Sequence, residues 1–162
     1  MRIMGIDPGK ATSGFGIIET NGDDTFKLVH MGLVETSKDM EHGQRLDMIF
    51  NQFTDLLDKF QPQVVAIERL FFATNALTAI DVGQAIGVIK LAVYQSHVPI
   101  FDYAPMQVKL VVGGSGKADK KVMKQKIKTM FHIREKKGMR THFDNTADAL
   151  AIAICHARKA SV

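Results

Sequence analysis

Met1-Arg2-Ile3-Met4-Gly5-Ile6-Asp7-Pro8-Gly9-Lys10-Ala11-Thr12-Ser13-Gly14-Phe15-Gly16-Ile17-Ile18 opens the chain, and its reading decides the fold. Residues 1–6 form an apolar run of strand length that stops at Asp7. Pro8-Gly9 is a turn signal. Ser13 to Ile18, with Gly14 and Gly16 interleaved, reads as a second strand, so the two make a hairpin around Asp7–Thr12. Asn21-Gly22-Asp23-Asp24 marks another turn, and Phe26–Val34 a third strand. The chain therefore begins as an antiparallel meander, not as a doubly wound sheet.

Beyond the meander the period changes from two to about three and a half. Leu46, Ile49, Phe50, Phe53, Leu56, Leu57 and Phe60 recur at helical steps, predicting a helix over 43–60 that Pro62 ends. Val64–Ile67 is a short, fully apolar run and reads as a central strand that delivers Glu68 at its tip. A long helix is expected over 75–95, where Gly83, Ala85 and Gly87 permit close packing, and a further strand over 99–103. Then come a short helix at 105–111, a flexible Gly113-Gly114-Ser115-Gly116 loop, an amphipathic helix at 120–130 and a last helix at 145–158. Five strands and intervening helices imply an α/β domain: a mixed sheet with helices on both faces. The 162 residues, 46% of them hydrophobic, suit one domain over 1–158 with a short tail at 159–162.

Composition narrows the setting. Cys155 has no partner cysteine and sits in an apolar run, which predicts a buried free thiol. The N-terminus lacks a signal-peptide pattern, and no apolar run approaches the roughly 20 residues of a membrane span, so a soluble cytoplasmic protein is expected. The net charge of +4 hides an uneven distribution. Ten Lys/Arg fall between Lys117 and Arg140 against only Asp119 and Glu135, leaving the rest of the chain with eleven basic and fifteen acidic residues. A solvated helix face is the ordinary explanation. A polyanion partner becomes the better one only if other features converge on it.

Three carboxylates stand where carboxylates are hard to accommodate. Asp7 ends a buried strand, although Asp before Pro-Gly also makes good Asx-turns. Glu68 ends another strand and has no turn role, with pairing to Arg69 as the structural alternative. Asp148 lies in a helix whose following residues, Ala149-Leu150-Ala151-Ile152-Ala153-Ile154-Cys155, are apolar nearly all round, so the helix is buried. Asp144 or Asn145 can cap that helix, and both share a face with Asp148 at three- and four-residue spacing. The macrodipole favours an acid there by only ~0.3–1 kcal/mol. Oxygen donors without a Cys/His cluster select Mg²⁺ or Mn²⁺ over Zn²⁺, since the six histidines are scattered. Paired Mg²⁺ ions about 4 Å apart are the usual device for phosphodiester cleavage.

The motifs that carry these acids resemble the RuvC family of bacterial Holliday-junction resolvases, within the ribonuclease H superfamily. They are Ile6-Asp7-Pro8-Gly9 with Gly14-Phe15-Gly16, Ala66-Ile67-Glu68-Arg69-Leu70-Phe71-Phe72, and Ala147-Asp148-Ala149-Leu150-Ala151-Ile152-Ala153. Gly83-Gln84-Ala85-Ile86-Gly87 and Gln107-Val108-Lys109 match between them, so the resemblance spans essentially the whole chain. It implies a ribonuclease H-like fold and a homodimer that nicks two opposing strands of a four-way junction symmetrically. The products would carry 3′-hydroxyl and 5′-phosphate ends. By the same resemblance Asp7, Glu68 and Asp148 would be catalytic metal ligands for about two ions. Phe71 would stack on unpaired bases, and Phe71 or Phe72 could instead pack in the core. Lys109 and Lys120 match basic residues near the scissile phosphate, and Ser115, Lys117 and Lys121 extend that DNA-binding segment, where Gly114 and Gly116 let backbone approach the DNA. Association with a branch-migration motor is a family expectation.

One position departs from the pattern. The family usually has Asp or His three residues before its last Asp, where this chain has Asn145, with Asp144 just before it. Either Asn145 ligates through its carbonyl oxygen or Asp144 substitutes, and a weakened activity or shifted metal preference is the third possibility. Competing functions are another ribonuclease H-like nuclease, a sugar-kinase or actin-like ATPase, and a junction-binding protein without turnover. The ATPase would need a second domain that 162 residues do not supply.

Overall fold

The computed structural model describes residues 1–37, 39–70, 76–133 and 143–160. The elements follow in the order β1 (Arg2–Asp7), β2 (Thr12–Thr20), β3 (Phe26–Glu35), α1 (His42–Phe60), β4 (Val64–Glu68), α2 (Ala76–Gln95), β5 (Ile100–Tyr103), α3 (Pro105–Gly113), α4 (Lys120–Phe131) and α5 (Phe143–Ala160). One sheet has the strand order β3-β2-β1-β4-β5. The meander β1–β3 is antiparallel, and β4 and β5 join it in parallel. The expected mixed five-stranded sheet is therefore the one observed.

Alternation along the strands divides the core in two. Met4 and Ile6 of β1, Phe15 and Ile17 of β2, and Val65 and Ile67 of β4 pack under α1 and α2. Ile3, Ile18, Val64 and Ala66 face the other way, into a core closed by α3, α4 and α5. Asp7 and Glu68 are in phase with Ile3 and with Val64 and Ala66, so both belong to the α5 face. The register places Ile6 beside Ile67, which sets the two acids side by side at the ends of adjacent parallel strands.

Twelve of the 18 residues of helix α5 are buried, among them the unbroken run from Ala149 to Ala157. It lies directly on the backbone of the hairpin. A Cβ at Gly5 would collide with the Ala149 carbonyl oxygen, and one at Gly14 with that of Asn145. At Gly16 the clash would be with Leu150 Cδ2, 2.6 Å away. The three glycines on the α5 face of β1 and β2 thus form a trench that admits the helix. A strand glycine ordinarily weakens a strand and marks such a close approach.

Cys155 is buried as a free thiol, and burial pushes its pKa up to about 11. Among the described residues no helix is long and apolar enough to cross a membrane.

Candidate active site

Three elements contribute the acids. Asp7 ends β1, Glu68 ends β4, and Asp148 stands in the second turn of the trench-bound helix. Asp7 pairs in register with Gly14, the same glycine that touches the Asn145 backbone. That contact brings the start of α5 down beside the strand ends.

The electrostatics show what this proximity does. Burial, together with the charges of Asp148 and Glu68, pushes the Asp7 carboxyl up to about 7. Burial likewise raises Glu68 to about 7, with Asp148 adding to it. Asp148 is raised chiefly by burial. Three carboxylates that lose water and repel one another are an unstable arrangement unless a cation joins them. The structural alternative for Glu68 does not hold. The cations that oppose its shift are Lys109 and Lys120, not the adjacent Arg69. Lys120 Nζ stands 4.0 Å from Asp148 Oδ2 on a side chain that is 86% exposed, too loose a contact to neutralise the cluster.

The same acids fit a hard divalent ion. All the donors are oxygen, the carboxylates are partly desolvated, and their mutual repulsion is what a divalent ion would relieve. They do not form a finished cage. No three His, Cys, Asp or Glu side chains among the described residues converge closely enough to hold an ion unaided. Water and a phosphate oxygen would have to complete the coordination, as Mg²⁺ sites on phosphate substrates commonly require.

The corner that the sequence leaves open is asymmetric. Helix α5 begins at Phe143, so Asp144 lies inside the first turn, and the helix start expected near Asn145 moves upstream. Asp144 accepts an ion pair from Lys124 Nζ at 2.6 Å and remains 66% exposed. The hydrogen bond from Lys124 holds its carboxyl below the usual range. Asn145 is half-buried and its backbone rests on Gly14. Asp144 is thus engaged outside, while Asn145 is on the side of the strand-borne acids.

The predicted basic residues distribute unevenly. Lys109 on α3 and Lys120 at the start of α4 reach the carboxylates electrostatically. Ser115 Oγ accepts from its own loop's Lys117 N at 3.2 Å, and Lys117 and Lys121 are exposed along the same segment. Asp119 caps α4 by accepting from Val122 N at 2.8 Å. Phe71 and Phe72 lie outside the described residues. Lys124, four residues from both Lys120 and Lys128, joins this basic face through its ion pair with Asp144. Lys124 and Lys128 both sit over the Phe143 ring, at 5.6 and 5.5 Å.

A mixed sheet with an antiparallel meander, helices on both faces and acids at adjacent strand ends defines the ribonuclease H-like class. Comparison with known proteins places the chain within it. The family model for the crossover junction endodeoxyribonuclease RuvC matches residues 3–156, so the chain belongs to the RuvC family. A crossover junction endodeoxyribonuclease RuvC of Thermotoga petrophila is 43% identical over 157 residues, covering 97% of this chain and 92% of the relative. That of Caldicellulosiruptor saccharolyticus is 41% identical over 156 residues, covering 96% and 92%. Thermus thermophilus RuvC in complex with Holliday junction substrate superposes with a TM-score of 0.89 at 34% identity, covering 99% of this chain and 95% of that one. The yeast mitochondrial Holliday junction resolvase shares the fold, with a TM-score of 0.70 at 16% identity.

Proposed function

We propose that the protein is an endodeoxyribonuclease that resolves four-way DNA junctions in recombination and repair. It hydrolyses phosphodiester bonds symmetrically on two opposing strands and leaves 3′-hydroxyl and 5′-phosphate ends. The observation that carries this reading is the cluster of Asp7, Glu68 and Asp148, desolvated and mutually repelling beside Lys109 and Lys120. Membership of the RuvC family supplies the substrate class.

In this reading Asp7, Glu68 and Asp148 hold two Mg²⁺ ions, with Mn²⁺ as a substitute, and the Asn145 carbonyl oxygen completes the site. Bound metal would supply an activated water and stabilise the leaving oxygen. The chain's own groups do the rest. Glu68 and Asp7 fix the positions at the strand ends. Lys109 and Lys120 draw the scissile phosphate toward the acids. Ser115, Lys117 and Lys121 track the backbone on either side, and Phe71 and Phe72 stack on unpaired bases.

Dimerisation is assigned to α2. Its outward positions Ile80, Gln84, Gly87, Leu91 and Tyr94 repeat at alternating four- and three-residue steps. Ile80, Leu91 and Tyr94 are 57%, 47% and 77% exposed. A Cβ at Gly87 would meet nothing within 4 Å, so packing inside this chain does not call for a glycine there. A heptad-like apolar stripe of this kind suits a second helix, here that of a second copy. The dimer would act in the cytoplasm, in association with a branch-migration motor.

The deciding experiment incubates the protein with a mobile four-way junction and with linear duplex, in Mg²⁺ and in Mn²⁺. Paired nicks confined to the junction are expected. Junction binding without nicks in either metal would leave a silent binding protein and end the enzymatic reading.

A further inference from the structure

A second positively charged site lies on the opposite face of the sheet. An open cleft of about 550 Å³ is lined by Lys10, Ala11, Met40, His42, Arg45 and Asp81. Lys10 and Ala11 belong to the turn between β1 and β2, His42 and Arg45 to the first turns of α1, and Asp81 to α2. The β1–β2 turn follows Asp7 directly, and β3 ends where Thr12 pairs with Glu35. The cleft is therefore at the same end of the sheet as the acidic cluster, on the α1/α2 side.

Its charges are unbalanced. Three basic side chains face one carboxylate. Lys10 Nζ pairs with Asp81 Oδ2 at 2.7 Å, and both groups keep contact with solvent, at 51% and 27% exposure. The Lys10 hydrogen bond is the main reason the Asp81 carboxyl is held low, and the fields of Lys10, His42 and Arg45 all act in the same direction. Lys10, His42 and Arg45 thus line one cleft together with the Asp81 carboxylate. Arg45 is incompletely satisfied. Its Nη2 donates to the Ser37 carbonyl at 3.2 Å, while its buried Nε has no acceptor among the described residues. An unsatisfied buried donor is costly, and an acceptor that reaches it offsets that cost.

We propose that this cleft is a phosphodiester-binding subsite in which the Asp81 carboxylate holds the place of a DNA backbone phosphate until DNA arrives. The proposal rests on the junction-nuclease reading. A junction arm gripped by the α4 lysines on one face of the sheet would be held on the other by Lys10, His42 and Arg45. Lys10 would exchange its Asp81 oxygen for a phosphate oxygen. Asp81 would then act as an electrostatic competitor that weakens binding to any DNA that does not reach the cleft.

The test measures junction affinity by fluorescence anisotropy without metal, between 50 and 200 mM salt, for the full-length protein and three variants. Each phosphate contact contributes about 0.9 to the slope of log K against log salt. Lys10→Gln should lower the slope by about that amount and weaken binding at 200 mM salt less than at 50 mM. Asp81→Asn should act oppositely, tightening binding by about threefold or more. Lys121→Gln, on the other face, reports on the nuclease reading alone. If Lys121→Gln lowers the slope while Lys10→Gln and Asp81→Asn leave it unchanged, the subsite is refuted and the nuclease reading stands. If the unmodified protein binds no junction, both fall. Saturable binding of inorganic phosphate that Lys10→Gln abolishes, with DNA affinity unaltered, would assign the cleft to a free anion and overturn the DNA proposal. Melting temperatures of the variants confirm that each remains folded.

Discussion

Asp144 and Asp148 are the same residue type, four positions apart on one helix, yet their environments oppose each other. Asp148 loses water and its carboxyl rises. Asp144 keeps water, takes Lys124 as a partner, and its carboxyl falls. The two share a helix face, and one turn along the axis separates them, which leaves Asp144 at the exposed helix start beside Lys124. The trench of Gly5, Gly14 and Gly16 fixes which side of α5 meets the sheet. Asp144 has a close lysine partner at 2.6 Å, whereas Asp148 has only the loose contact with Lys120 at 4.0 Å.

The contrast is tested most severely by Asp7→Asn. Metal contributes several kcal/mol to such reactions, so cleavage should fall by on the order of a thousandfold or more. Junction binding should persist, because the phosphate contacts are elsewhere. Loss of both together would show Asp7 to be structural. The metal-free variant should also melt higher than the parent, by about 2–4 °C for each kcal/mol of repulsion relieved. A lower melting temperature would contradict the raised carboxyl.

Gly14→Ala attacks the seat of α5 itself. Forcing a methyl group against the Asn145 carbonyl should cost roughly 1–3 kcal/mol, read by denaturant unfolding, with loss of cleavage in the fraction that remains folded. Unchanged stability would mean that α5 rides higher over the sheet than described.

At the corner, Asn145→Ala should weaken Mn²⁺ binding by about tenfold or more, measured by calorimetry, whereas Asp144→Asn should change it less than threefold. The stability effect of Asp144→Asn should stay within about 0.5 kcal/mol, since its partner is an exposed lysine. The reverse ranking would move the fourth ligand to Asp144.

The smallest effect concerns pH. Asp7 and Glu68 titrate near 7 in the folded protein, but from 3.8 and 4.5 in their unperturbed state. The folded form therefore binds more protons across that interval, and metal-free stability should decline as pH rises from about 4 to about 7, with the full penalty above it. Divalent metal should raise the melting temperature more at pH 8 than at pH 5. A metal effect that does not depend on pH would separate these carboxylates from the ion.

Sequence reading went furthest where a local period carries the information. The strands expected at 1–6 and 26–34 and the helix expected at 43–60 stand within a residue or two of their observed bounds. The three acids were legible because each interrupts an apolar pattern. The phase of α5 was not, because it is set by glycines 130 or more residues earlier in the chain. Hence Asp144 and Asn145 could not be separated by spacing. The Lys10–Asp81 pair joins a hairpin turn to a helix through the fold alone, and no local signal announces it. The resemblance implies a stacking role for Phe71, and both Phe71 and Phe72 lie outside the described residues.

The glycine trench also bears on how the molecule opens. Helix α5 contacts backbone along β1 and β2 and buries most of the side chains it carries. Its buried run cannot lift without exposing the core that it shares with α3 and α4. Its amides should therefore be among the last to exchange with deuterium, near the global unfolding limit, while those of α4 exchange earlier. Asp148 would then lose its geometry only when the whole protein does, and activity should disappear on heating in one step with the fold, without a prior inactive state.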